Sequence, residues 1–153
     1  MEICFVFPGQ GSQTVGMGKS LFDQFEVVRN LYHEASETLG YDVAKISFEG
    51  PAEHLNKTYI TQPCLLTASI AAWAVLSENG ISPTVVAGHS LGEYSALVAA
   101  GSIAFRDAVR LVEIRGKIMQ DAVDPGSGLM AAIIGIDRTV LDEICASVTE
   151  GYV

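Results

Sequence analysis

The sequence predicts an α/β protein built on a parallel sheet, and three observations carry that class. Ile3-Cys4-Phe5-Val6-Phe7 is a continuous apolar run near the start. Val85-Val86-Ala87 is a second short apolar run, and it leads straight into a Gly-rich turn and a helix-prone segment. Apolar residues at helical spacing fill most of the chain between and after these runs.

Nothing polar interrupts Ile3 to Phe7, so it reads as a strand buried on both faces. A Gly-rich loop follows, Pro8-Gly9-Gln10-Gly11-Ser12-Gln13, then Gly16-Met17-Gly18-Lys19-Ser20. Two nucleotide-binding patterns fail on it. The G-x-x-x-x-G-K-[ST] cradle would need glycine where Gln13 stands, and G-x-G-x-x-G fails at Thr14. What remains is a loop whose backbone can approach another group closely.

Phe25, Val28, Leu31, Tyr32, Ala35 and Leu39 recur at helical spacing, with Gly40 as the expected C-terminal cap. His33 and Glu34 fall on or beside the wet face of that helix. Tyr41 to Thr61 is mixed and broken at Gly50-Pro51. His54 reads as a surface histidine, because no Cys, Asp or second His lies at metal-ligand spacing. Gln62-Pro63 is expected to open a long helix, with proline in its first turn. Leu65, Leu66, Ile70, Trp73, Ala74 and Leu76 make that helix apolar on most faces, hence central, and Asn79-Gly80 ends it.

Gly88-His89-Ser90-Leu91-Gly92 is the pattern of a nucleophile elbow. The turn from strand to helix is tight. Flanking glycines tolerate crowding and unusual dihedrals, and the serine hydroxyl is pushed out at the tip. The Leu91 N–H, at the start of the next helix, would point where an oxyanion forms. In elbow folds the second oxyanion donor comes from a separate loop, and the Pro8 to Gln13 loop is the candidate. Tyr94 to Ala100 is helix-prone and closed by Gly101.

Ser102 or a neighbour starts a helix through about Val123. At about 100° per residue, Phe105, Ala108, Val109, Val112, Gly116, Met119 and Val123 form one stripe. Arg106, Arg110 and Lys117 lie opposite, with Glu113 and Asp121. Arg115 falls about 60° from the centre of the apolar stripe. A cation there either snorkels outward or clamps an anion bidentately. Asp124 to Gly128 is a linker signal, Leu129 to Ile136 reads as a strand, and Arg138 to Val148 as a helix with Leu141, Ile144 and Cys145 inward. Gly151-Tyr152-Val153 reads as the start of another strand.

Composition narrows the function classes. The 153 residues suffice for one domain with a sizeable core, and 49% hydrophobic against 18% charged residues exclude disorder. A net charge of −9 argues against nucleic acid as a partner. Four of the nine basic residues nevertheless fall between Arg106 and Lys117. Cys4, Cys64 and Cys145 are far apart and fit small buried apolar residues in a reducing compartment. The longest apolar stretch, Cys64 to Leu76, is short for a membrane span, and no signal peptide precedes it, so the cytoplasm is the expected location. A nucleophilic serine needs a general base, which in elbow enzymes is a later histidine. The histidines are His33, His54 and His89, none after Ser90, and His89 is carried away from its neighbour by the turn.

Phe7-Pro8-Gly9-Gln10-Gly11-Ser12-Gln13, Thr61-Gln62-Pro63, Gly88-His89-Ser90-Leu91-Gly92-Glu93 and Arg115-Gly116-Lys117-Ile118-Met119-Gln120 together resemble the malonyl-CoA:acyl carrier protein transacylases. Acyltransferase domains of polyketide and fatty-acid synthases are similar. A start at Met1 directly on the first strand looks like the discrete bacterial enzyme.

The resemblance implies an α/β-hydrolase-like core, residues 1–124, and the beginning of an inserted ferredoxin-like subdomain, residues 125–153. It implies malonyl transfer through a Ser90 ester, with Gln10 and Leu91 as oxyanion donors and Arg115 binding the substrate carboxylate. Gln62 and His89 match site-lining positions. The implied partners are malonyl-CoA and acyl carrier protein. No metal or bound cofactor is implied, since phosphopantetheine arrives on the partner, and no membrane contact. The full-length form is expected to be a monomer about twice this length, with its catalytic histidine beyond Val153. The competing readings are a serine esterase or thioesterase and a non-catalytic fragment.

Overall fold

The computed structural model describes residues 2–122 and 133–148. The chain divides into two compact units, Met1–Ala122 and Val123–Val153.

In the first unit, strands β1 (Cys4–Phe7) and β2 (Val85–Gly88) pair in parallel. Cys4 stands opposite Val85, and Phe7 opposite Gly88. Around them lie α1 (Lys19–Gln24), α2 (Glu26–Leu39), α3 (Val43–Glu49), α4 (Ala52–Leu55), α5 (Thr58–Glu78), α6 (Gly92–Ala99) and α7 (Phe105–Asp121). The result is a mixed, helix-rich α/β unit, with two strands among the described residues.

The core forms around α5, which packs against α2, α6 and α7. Leu66, Ile70 and Cys64 of α5 meet Val28 and Tyr32 of α2 and Val109 and Val112 of α7, all at most 1% exposed. Among the described residues α5 is the one helix that by length and composition would suit a membrane span, more so than the Cys64 to Leu76 stretch suggests. Most of its apolar window is buried inside this unit, as in the central helix of a globular core.

Three expectations need correction here. First, α5 opens at Thr58, so Pro63 lies inside the helix and does not begin it. Its ring removes the N–H that would bond the Tyr59 carbonyl. Buried packing offsets that loss, for Ile60 through Thr67 are all buried. Second, β1 is not covered on both faces: Phe7 is buried, whereas Val6 is 72% exposed, Val85 of β2 is 59% exposed and Cys4, expected inside like Cys64, is exposed, with Cys145 of the second unit half-buried. Helix α6 packs on both strands, while the groove between β1 and the Leu65 to Leu76 side of α5 is open. Third, α7 has a second apolar row, Leu111, Ile114 and Ile118, that is exposed opposite the buried Ala108–Val112–Gly116 stripe.

In the second unit, α8 (Arg138–Ser147) starts where expected, capped by Asp137, whose side chain accepts from the Thr139 N–H at 2.8 Å. Ile144 is 51% exposed and not inward. Of the strand expected over Leu129 to Ile136, residues 133–136 are irregular, with Gly135 at φ 78°. The remainder of that strand, the Asp124 to Gly128 linker and Gly151 to Val153 lie outside the described residues.

Candidate active site

The elbow is built by close approach of backbone. The ladder continues one residue past β2, where the His89 N–H donates to the Phe7 carbonyl at 3.1 Å. The chain then turns, and Gly92 N–H donates back to the His89 carbonyl at 2.9 Å. A Cβ on Gly88 would lie 2.0 Å from the Gly92 carbonyl carbon, and one on Gly92 would lie 2.1 Å from the Phe7 oxygen. No side chain fits at either position. Neither glycine has a positive φ; that conformation falls on Ser90 itself, at φ 52°. The glycines therefore answer the crowding, and the serine carries the unusual dihedral.

Leu91, fully buried, pins the start of α6 beneath the exposed Ser90. The Pro8 to Gln13 loop lies against the same turn. A Cβ on Gly9 would meet the His89 carbonyl oxygen at 2.7 Å and its Nδ1 at 2.8 Å. Ser12 holds this loop through its hydroxyl, which donates to the Gly9 carbonyl at 2.8 Å. Among the described residues, neither the Gln10 nor the Leu91 backbone N–H donates to a protein acceptor. The Gln10 side chain turns to α5, its Nε2 donating to Thr58 Oγ1 at 3.4 Å.

Arg115 reaches Ser90 from α7. Its Nη2 donates to Ser90 Oγ at 3.1 Å and its Nη1 to Gln62 Oε1 at 2.9 Å. Gln62 is fully buried in α5, and its Nε2 donates to Met119 Sδ at 3.4 Å. The Arg115 guanidinium carbon lies 5.8 Å from the centre of the Tyr94 ring. Among the described residues no carboxylate pairs with Arg115, whereas Arg106 pairs with Glu34 and Glu37, and Lys117 with Glu113. The cation is half-buried beside the hydroxyl, and its partners among the described residues are neutral.

Arg115 thus joins Ser90 to Gln62, and Leu91 and the Gln10 loop flank Ser90. His89 contacts the loop side of the turn, while His33 and His54 sit on α2 and α4. Tyr94 and Thr58 join the site without having been singled out from the sequence. For Tyr94 the only signal was its place in the first turn of the helix that follows Ser90, which does not say which way its ring faces. Among the described residues no cluster of His, Cys, Asp and Glu could hold a metal ion.

The site is thus an exposed serine on a strand-to-helix turn with a cation on its hydroxyl. The chain belongs to the acyl transferase domain family, whose pattern matches residues 4–147. It is 55% identical over 153 residues to the malonyl CoA-acyl carrier protein transacylase of Escherichia coli K12, covering 99% of this chain and 50% of that one. The Bacillus subtilis strain 168 protein of the same name is 52% identical over 149 residues. An acyl carrier protein S-malonyltransferase from Vibrio cholerae superposes with a TM-score of 0.87 at 52% identity, over 95% of this chain and 48% of that one. A malonyl-transacylase solved with its type II PKS acyl-carrier protein gives 0.91 at 53% identity, over 98% and 49%. The chain spans about half the length of the curated relatives it matches.

Proposed function

We propose that this chain carries the nucleophile half of a malonyl-CoA:acyl carrier protein S-malonyltransferase. Ser90 Oγ attacks the thioester carbonyl of malonyl-CoA, the C–S bond breaks, and coenzyme A leaves as the thiol with the proton that the serine gave up. The phosphopantetheine thiol of acyl carrier protein then attacks the malonyl-serine ester and restores the serine. By the resemblance, the histidine that relays the proton belongs to the part of the relatives' length that this chain does not span.

The observation that carries this reading is Arg115 Nη2 at 3.1 Å from Ser90 Oγ. In a malonyl group a single methylene separates the carboxylate from the carbonyl under attack. A cation that binds the carboxylate must therefore sit within reach of the nucleophile itself. A generic esterase has no use for a cation there. The undonated Gln10 and Leu91 N–H groups suit the oxyanion of the tetrahedral intermediate; losing such a donor costs about 3–4 kcal/mol of transition-state stabilisation. Gln62 and His89 line the site, Gln62 by bonding Arg115 and His89 by packing on the Gln10 loop.

In this reading residues 1–124 belong to an α/β-hydrolase-like core and residues 125–153 begin a ferredoxin-like subdomain. The protein works in the cytoplasm without a resident cofactor, because the carrier protein brings its own thiol.

Intact-protein mass spectrometry of the full-length protein with malonyl-CoA tests the proposal. A malonyl adduct is expected, absent in Ser90→Ala and discharged by carrier protein bearing phosphopantetheine. Release of free malonate with no transfer to the carrier would mark a hydrolase instead.

A further inference from the structure

We propose that Tyr94 is a specificity-determining positioning residue: the face of its ring holds the Arg115 guanidinium in place beside Ser90. This inference rests on the malonyl reading above.

A binding cation must be held still and must also keep its charge available. A buried carboxylate beside Arg115 would fix it firmly, but would satisfy its charge and compete with an incoming carboxylate. The groups around Arg115 do the opposite. Gln62 Oε1 and Ser90 Oγ, both neutral, accept two of its edge hydrogens. The Tyr94 ring lies 5.8 Å from the guanidinium carbon, within the range where a ring quadrupole attracts a cation. An aromatic face attracts the cation without neutralising it, and leaves the remaining N–H donors free for a carboxylate.

The ring is also well placed to set distance. Tyr94 belongs to α6, the helix that begins at the elbow, and its N–H donates to the Leu91 carbonyl at 3.0 Å. Gly92 fits against the Phe7 oxygen so closely that α6 cannot shift without breaking the elbow. Nucleophile and ring therefore move as one body, and the cation is referenced to the atom that attacks. Among the described residues the Tyr94 hydroxyl makes no hydrogen bond, so it is the ring and not the phenol oxygen that acts.

The test compares Ser90 acylation by malonyl-CoA and acetyl-CoA in full-length wild type, Tyr94→Phe, Tyr94→Leu and Tyr94→Met. Loss of the ring in the Leu and Met variants is expected to lower kcat/KM for malonyl-CoA about tenfold, chiefly through KM, and to lower the malonyl-to-acetyl ratio with it. Tyr94→Phe is expected to restore both. An unchanged ratio in Leu and Met, or a Phe variant as impaired as Leu, overturns the proposal. Wild-type protein that forms no malonyl adduct defeats the malonyl reading instead. Crystal structures of wild type and Tyr94→Leu then decide the role of the ring: Arg115 displaced only in the variant supports it, and Arg115 unmoved in both overturns it.

Discussion

Arg115 is surrounded by an amide, a hydroxyl and an aromatic ring, and that decides what its charge is free to do. Among the described residues no carboxylate pairs with it, so the cation suits an acyl group that brings its own. Arg115→Ala is expected to remove about 2–3 kcal/mol of malonyl recognition, the usual worth of a hydrogen bond to a charged group, and to favour uncharged acyl groups. Competition between malonyl-CoA and acetyl-CoA for Ser90 measures it; unchanged selectivity would remove the clamp. At this scale the sequence was readable where a residue broke a pattern. Arg115 stood at the edge of an apolar stripe, and Ser90 at the tip of a Gly-flanked turn. Gln62 stood at the expected opening of an apolar helix, and its spacing gave no partner; only the crossing of α5 and α7 brings it to Arg115. Tyr94 read as an ordinary helix residue, because a ring at helical spacing looks the same whether it faces core or cation.

The elements that position these side chains are α5, α6 and α7, and the most extensive packing among them is between α5 and α7. Gly116, next to Arg115, has no room for a Cβ, which would lie 2.5 Å from Tyr59 Cα and 2.9 Å from the Thr58 oxygen. In an exposed helix, Gly→Ala is stabilising by about 0.5–1 kcal/mol. Here the sign is reversed. Gly116→Ala must push α7 off α5 and is expected to destabilise by about 1–3 kcal/mol, as overpacking does. A lower urea midpoint, with malonyl selectivity reduced alongside, is the expected result; a higher midpoint would show that the helices yield freely. The helix boundaries that sequence patterns missed share a cause. The Thr58 start of α5 has no side-chain cap on Lys57 to announce it, and tertiary burial overrides the proline at 63. Strand β1 was legible as a strand but not in its exposure, because an apolar run does not reveal how many neighbours cover it.

Across the whole molecule, the core holds three ionisable groups that the site does not use. Burial pushes the Cys64 thiol up to about 11, against an ordinary value of 9.0. Burial also raises the Tyr32 and Tyr41 hydroxyls above their usual range, with the neighbouring Cys64 charge adding to each. The unfolded chain therefore loses these protons first. Their contribution is fully present below the unfolded values and is lost as pH rises through the folded ones. Urea midpoints are expected to fall between pH 9 and 11, with about 2–3 kcal/mol of the loss belonging to Cys64 and missing from Cys64→Ala. A midpoint that stays flat over that interval would mean the thiol is open to solvent. The overall class, the core helices and the elbow followed from periodicity and glycine placement. The exposed second row of α7 and the open groove beside β1 did not, since both depend on what packs where.

The left-handed backbone at Ser90 has a consequence for which side chains this turn can host. A φ of 52° is tolerable for an unbranched side chain and costly for a β-branched one. Threonine, an alcohol with the same reactive group, is thereby disfavoured on steric grounds, whereas cysteine, a different element, keeps the geometry. Interchange at this turn is governed by the shape of the chain before it is governed by chemistry.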